Sequence, residues 1–302
     1  MHDQLHVYMG RPTVLTIGVF DGVHLGHQHL LGQVRERALE LGCASAVITV
    51  HPHPQQVLSR GFKAAYLLSL EDRVERLRDI GLDVVAVLDF NEAMARTPAR
   101  EFIRQLSETF RLAELCTGPD FALGRNREGN LASLRELGGQ LGFKVNTASP
   151  LVLDGLTVSS TSIRRLLSEG DVKGAAAQLG RPPTLRGHVV PGSQRGRLLG
   201  MPTANLGVGD DILLPGTGIY AGYARIGSDT HRAAIYIGSR PTFGETTVVI
   251  EAFLLDFQGD IYGQVMTLEF CDRLRGDQRF PNADALVAQM QADVAKAKEI
   301  LR

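Results

Sequence analysis

The sequence predicts an α/β chain in two parts: a doubly wound parallel-sheet domain, then a small antiparallel β-barrel with a C-terminal helix. Three observations predict it. Up to about residue 180 short apolar runs alternate with helix-period stretches, as in a βαβ series. Beyond that point glycine-punctuated β-type runs follow one another without intervening helices. The break between the two rhythms is Gly180-Arg-Pro-Pro-Thr184, which sets domains at 1–182 and 183–302.

The elements follow in order. Thr13–Val19 reads as a buried strand, and Gly26–Leu41 as a helix with Leu30, Val34, Ala38 and Leu41 at helical spacing. Ala44–Val50 is the next strand, ended by His51-Pro-His-Pro54. Ser69 opens a helix with Leu70, Val74, Leu77 and Ile80 on one face, stopped at Gly81. Val84–Leu88 is a third strand, and Thr97-Pro98 starts a helix through Phe102, Ile103 and Leu106. Strands at Glu114–Thr117 and Lys144–Thr147 flank a helix at Leu131–Leu141. The later runs are Leu185–Val190, Ile219–Ile226, Ala233–Gly238, Thr247–Phe257 and Val265–Phe270, before a last helix at Ala283–Leu301.

Composition narrows the function classes. Of 302 residues, 44% are hydrophobic and 22% charged, enough for packed cores and against disorder. A net charge of -1 gives no footprint for a nucleic-acid coat or an anionic membrane, so phosphate must be held locally by loops and helix ends. Cys43, Cys116 and Cys271 are scattered, without zinc or disulfide spacing, and read as reduced thiols. With no signal-like N-terminus and no membrane-length apolar run, a cytoplasmic location is expected, with no membrane or nucleic-acid partner. A weak homo-oligomer is compatible with this reading.

Chemistry concentrates first at Ile17-Gly-Val-Phe-Asp-Gly-Val-His-Leu-Gly-His27, where the first strand meets the first helix. That crevice is the expected ligand position of a doubly wound sheet. Gly18, Gly22 and Gly26, with Phe20 and Asp21, would let the backbone approach a phosphate at the helix's positive end. His24 and His27, three apart, would face the same phosphate chain. The segment lacks the Lys-Ser/Thr ending of a P-loop and the spacing of a dinucleotide fingerprint.

The segment resembles the His-x-Gly-His signature of the nucleotidyltransferase superfamily, and its flanks resemble the bacterial bifunctional riboflavin kinase/FAD synthetase family. Three later pieces match in order: His51-Pro-His-Pro54, Gly118-Pro-Asp-Phe-Ala-Leu-Gly124 and Ser159-Ser-Thr-Ser-Ile-Arg164. The resemblance implies that His24, His27, His53, Asp120, Ser160, Thr161 and Arg164 form an adenylyl-transfer site. Leu123 stands where the family has a second aromatic, and His51 where it more usually has an acid. In isolation His53 reads equally as a strand terminator, and Ser160-Thr161 as a helix cap.

The second concentration is Gly187 to Leu206, a glycine- and arginine-containing loop with Gly192, Gly196 and Gly200, then Pro202-Thr-Ala-Asn205. The oxygens of Thr203 and Asn205 are hard ligands suited to Mg²⁺ that already carries ATP phosphates. The segment resembles the riboflavin-kinase loop, and matching continues to the last helix. A kinase acting on an alcohol needs a carboxylate base. The resemblance selects Glu251, with Glu269 the rival from spacing, and Phe253 stands where the family has a histidine. Phe243, Tyr262 and Phe280 are candidates for the isoalloxazine surface.

The expected activity is therefore conversion of riboflavin to FMN in the C-terminal domain and of FMN to FAD in the N-terminal domain. The substrates are riboflavin, FMN and ATP. Two rivals are an adenylyltransferase acting on a pantetheine or pyridine nucleotide, and a flavin-responsive regulatory protein with one domain catalytically dead.

Overall fold

A computed structural model of the chain describes residues 10–192, 200–242 and 245–301. It divides into two compact units between Ser160 and Thr161.

The first unit is built on five parallel strands in the order β3-β2-β1-β4-β5. They are β1 Thr13–Gly18, β2 Ala44–His51, β3 Val84–Asp89, β4 Leu112–Thr117 and β5 Lys144–Thr147. Successive residues point to opposite faces, and here both faces are apolar because both are covered. Leu15, Ile17, Ile48 and Leu115 pack on Phe102, Ile103, Leu106 and Phe110 of helix α5 (Ala99–Phe110) and on Leu134 of α6 (Leu131–Leu141). Val14, Val47 and Cys116 face the other way, onto Leu31, Val34 and Ala38 of α1 (Leu25–Glu40) and Leu77 of α3 (Leu70–Asp79). β1 lies between β2 and β4, so the strand order reverses beside it and a crevice opens at its C-terminal end.

Two short helices escape the periodicity reading: α2 (Pro54–Leu58) and α4 (Glu92–Arg96). At five residues each, neither offers a full period of pattern. The α3 face also differs from the expected one. Arg73 and Leu77 are its buried residues, while Leu70, Val74 and Ile80 are half-buried. An arginine on the core side reverses the usual rule for charged residues, and the site below gives its reason.

In the second unit six strands close a barrel in the order β10-β11-β12-β9-β8-β13. These are β8 Thr184–Val190, β9 Ala204–Gly207, β10 Gly218–Ile226, β11 Asp229–Thr242, β12 Glu245–Leu254 and β13 Val265–Arg275; β6 and β7 (Val152–Leu153, Leu156–Thr157) form a separate hairpin in the first unit. Tyr220 and Phe270 are buried in edge-to-face contact at 5.4 Å. The last helix, α9 (Ala283–Ile300), packs Ala297 against Ala221 and Leu274. Beyond Ser160, helix α7 (Ser160–Glu169) goes with the barrel, as does α8 (Val172–Leu179). Arg273 of β13 donates to the Glu169 and Thr217 carbonyls at 3.0 and 2.8 Å, and Lys173 pairs with Asp272 at 2.7 Å.

Barrel closure leaves little room at Gly222, which lies at a register shift between β10 and β13. A Cβ there would overlap the Glu269 carbonyl oxygen. Gly222→Ala is expected to destabilise the second unit by about 1–3 kcal/mol. The check is a lower thermal midpoint by circular dichroism, with an unchanged midpoint counting against it.

Candidate functional sites

The first site grows from the turn that joins β1 to α1. Phe20 (φ 52°) and Val23 (φ 42°) both occupy the left-handed region, uncommon for any side chain and an outlier for a β-branched one. Such strain persists only where the surroundings hold it. Here Asp21 is buried, and its carboxylate accepts from the backbone N–H of Leu67 at 2.9 Å and of Leu68 at 3.3 Å. The Asp21 carbonyl in turn accepts from the Ser160 hydroxyl at 2.9 Å. Asp21 thus ties the turn to the 67–68 segment, a positioning role that its sequence spacing did not reveal.

The turn delivers two stacked imidazoles. The His24 and His27 rings lie 3.6 Å apart at 18°, and Phe20 meets His27 edge-on at 5.1 Å. His24 is the N-cap of α1, its Nδ1 accepting from the His27 N–H at 3.3 Å. A ring that accepts at Nδ1 donates from Nε2. Burial, then the charges of His24 and Arg73, hold the His27 imidazole well below its usual pKa. His27 is therefore neutral near pH 7, and its buried Nδ1 has no hydrogen-bond partner among the described residues. Gly26 keeps the stack open, since a Cβ there would come within 3.2 Å of the His24 ring.

Arg73 explains how the turn is held from below. Its side chain is wholly buried. It donates to the Val19 carbonyl at 2.6 Å and the Val50 carbonyl at 3.4 Å, where β1 and β2 end, and to His51 Nδ1 at 3.2 Å. Burial lowers its pKa, against the charges of Asp21, Tyr66 and Glu71. The Tyr66 ring lies 5.5 Å from the guanidinium, and the Tyr66 hydroxyl accepts from the His53 N–H at 2.6 Å. Neither Arg73 nor Tyr66 stands in a recognisable motif. The only sequence signal is a charged residue within the apolar face of a helix.

The remaining predicted residues are placed as follows. His53 caps α2, its Nδ1 accepting from the Gln55 N–H at 3.2 Å. Asp120 is exposed in the loop after β4. Leu123 exchanges backbone hydrogen bonds with Gly129 and packs with Phe121 against the core. Gly18 ends β1 and Gly22 lies within the β1–α1 connection. Thr161 and Arg164 are on α7, in the second unit.

The second site forms where β9 meets β12. Asn205 pairs with Glu251, and Tyr236 of β11 pairs with Glu251 from the other side. The Thr203 hydroxyl donates to Glu251 Oε2 at 2.9 Å. Gly192 lies against the Asn205 amide so closely that a Cβ would overlap it, and Gly200 (φ 75°) turns the chain into Met201. Gly196 and Phe243 lie outside the described residues.

Glu251 lines a cavity of about 350 Å³ with Met201, Phe253, Phe280, Met290 and Arg275. Arg275 is clamped by Asp293 of α9, Nε to Oδ1 at 3.0 Å and a second nitrogen to Oδ2 at 2.8 Å, and it lies 5.6 Å from the Phe280 ring. The cavity is mostly apolar with a few convergent polar groups, the usual character of a small-molecule site. Glu269, the rival acid, instead pairs with Arg225 at 2.5 Å, and Tyr262 is exposed; neither is among the cavity's lining residues. No cluster of three His, Cys, Asp or Glu side chains among the described residues makes a metal-binding group.

A model of FAD synthetase matches residues 8–162, and one of riboflavin kinase matches residues 179–301. The chain is 38% identical to a bifunctional riboflavin kinase/FMN adenylyltransferase of Pseudomonas fluorescens, over 96% of its own length and 93% of the relative's. The chain belongs to the bifunctional riboflavin kinase/FMN adenylyltransferase family. Relatives of the same description from Haemophilus influenzae and Bacillus subtilis are 36% and 34% identical, covering 99% and 94% of this chain and 96% and 91% of theirs. The fold matches a crystal structure described as a macrolide-efflux protein from Streptococcus pneumoniae, with a TM-score of 0.89 and 28% identity over 98% and 97% of the two chains. Among the described residues, no helix is long and apolar enough to cross a membrane. The two models match the chain in the order of its parallel-sheet and barrel parts.

The lowered His27 pKa has a pH consequence. Above about pH 6.5 the ring is neutral folded or unfolded; below it the unfolded chain takes up a proton that the folded one resists. Stability should therefore fall between pH 7 and pH 5, and His27→Gln should lose less over that range. Urea unfolding at both pH values checks this, and equal losses would count against it.

Proposed function

We propose that the two sites carry out successive ATP-dependent steps of flavin cofactor synthesis, with catalytic domains 1–182 and 183–302. The second unit phosphorylates riboflavin to FMN, and the first adenylylates FMN to FAD with release of pyrophosphate. One observation supports the first step above the others: Glu251 lines the apolar cavity and accepts a hydrogen bond from the Thr203 hydroxyl. Glu251 takes the proton of the ribityl 5′-hydroxyl as that oxygen attacks the terminal phosphorus of ATP. Thr203 holds the carboxylate in place through its hydroxyl hydrogen. The flavin ring takes the cavity, against Phe253, Phe280 and Met290.

Thr203 and Asn205 present hydroxyl and amide oxygens beside Glu251, hard donors that fit Mg²⁺. Held there by Thr203 and Asn205, it would supply positive charge against the ATP phosphates. The backbone around Gly192 and Gly200 would lie along the same phosphates.

Adenylyl transfer has different needs. The FMN phosphate is already ionised, so no base is required, and catalysis rests on positioning and charge neutralisation. His24 donates through Nε2, and neutral His27 offers a second polar ring to the triphosphate at the start of α1. The family resemblance adds His53, Asp120, Ser160, Thr161 and Arg164 to that site. Use of ATP and three free cysteines support a cytoplasmic setting, with no nucleic-acid or membrane partner and at most a weak homo-oligomer.

The experiment supplies ATP, Mg²⁺ and riboflavin or FMN and separates the flavins by chromatography. Glu251→Gln should lower FMN formation by about 10²–10⁴-fold while sparing FAD formation from supplied FMN. His27→Ala should do the reverse. Absence of both products from the intact chain would sink the reading.

A further inference from the structure

We infer that the loop carrying Arg125 and Arg127 reads the phosphate of the adenylyl acceptor, and so distinguishes FMN from unphosphorylated riboflavin. The inference rests on the adenylyl-transfer reading of the first unit.

The loop follows β4, which pairs in parallel with β1, so it leaves the same sheet edge as the turn bearing His24 and His27. A single 3-10 turn, Arg125–Arg127, holds Asn126 (φ 54°) and Arg127 (φ 59°) in the left-handed region. Two consecutive non-glycine residues there are strained, and the loop is fastened to keep them so. The Arg125 N–H donates to the Thr97 carbonyl at 3.0 Å, Leu123 and Gly129 bond each other's backbone, and Glu128 accepts from the Ala99 N–H at 2.8 Å. Gly124 (φ 75°) lets the loop lie directly on Ala99.

Among the described residues the unit's arginines divide into ion-paired ones and ones with no carboxylate partner, and this loop carries two of the latter. Arg37, Arg96 and Arg104 each pair with glutamates. Among the described residues Arg125 and Arg127 pair with no carboxylate, and the carboxylate of adjoining Glu128 is engaged by Ala99. Arg127 donates only to the Asp120 carbonyl, at 3.0 Å. Arg127, Asn130, Phe121 and Asp120 line an open depression of about 380 Å³. Its cation suits a phosphate monoester, its phenyl ring a flavin edge, and its one acid the ribityl hydroxyls beside that phosphate. Adenylyl transfer brings two anions together, and an unpaired guanidinium on the acceptor side supplies the needed counter-charge.

The test uses the full chain. Arg127→Ala, alone and with Arg125→Ala, should raise KM for FMN in FAD formation on the order of ten- to a hundred-fold. KM for ATP in the same reaction, and KM for riboflavin in FMN formation, should stay within about two-fold. Arg127→Lys should recover part of the FMN effect, which a purely structural loop residue would not show. An unchanged KM for FMN, or equal rises for FMN and ATP, overturns the proposal. Failure of the unaltered chain to make FAD from FMN would overturn the underlying reading instead.

Discussion

A buried guanidinium bonded to carbonyls at the ends of two strands organises the first site. Taking Arg73 out of water is expensive unless its N–H groups find acceptors. Its two terminal nitrogens find them in the Val19 and Val50 carbonyls and in His51 Nδ1, while its buried Nε has no partner among the described residues. These bonds tie the end of β1 to the end of β2 just before the turn begins. The strained backbone at Phe20 and Val23, the Asp21 tether and the stacked histidines all follow from that starting point. The same charge helps keep His27 neutral. His51, where the family more usually has an acid, here serves as a neutral acceptor to Arg73.

The barrel solves a related problem differently. Glu251 is on a strand paired on both sides, so its backbone needs are met within the sheet. Thr203 aims its carboxylate, and Asn205 and Gly192 crowd the next position. On the cavity's far side the Arg275–Asp293 clamp joins β13 to α9, so the last helix forms part of the wall. Phe253, in the place of a family histidine, extends the apolar lining. Both sites therefore combine a rigid strand end with one side chain oriented by a second.

Much of this was legible in the linear pattern. The five parallel strands, the long helices and the barrel strands carry strong apolar periodicity, because burial on known faces selects it. The short helices α2 and α4 and the brief strand β9 carry too few residues for a period to register. Arg73 and the Arg275–Asp293 pair were not visible as functional at all. A buried arginine looks in sequence like any solvated one, since its acceptors come from residues 22 to 54 positions away. Asp21 was legible as a site residue but not as a tether, because its partners at 67 and 68 lie in another loop.

By itself the sequence determined the two-part architecture, the family, and the turn and strand motifs where chemistry gathers. These are local properties: hydrophobic period, glycine placement, and short runs of polar residues at element ends. Only the tertiary structure decided which acid faces the cavity, with Glu251 lining it and Glu269 bound to Arg225. It alone showed that His24 and His27 stack and that α8 and most of α7 pack with the barrel. Those outcomes depend on side chains brought together from distant positions, where burial and hydrogen-bond satisfaction, not spacing, set each partner.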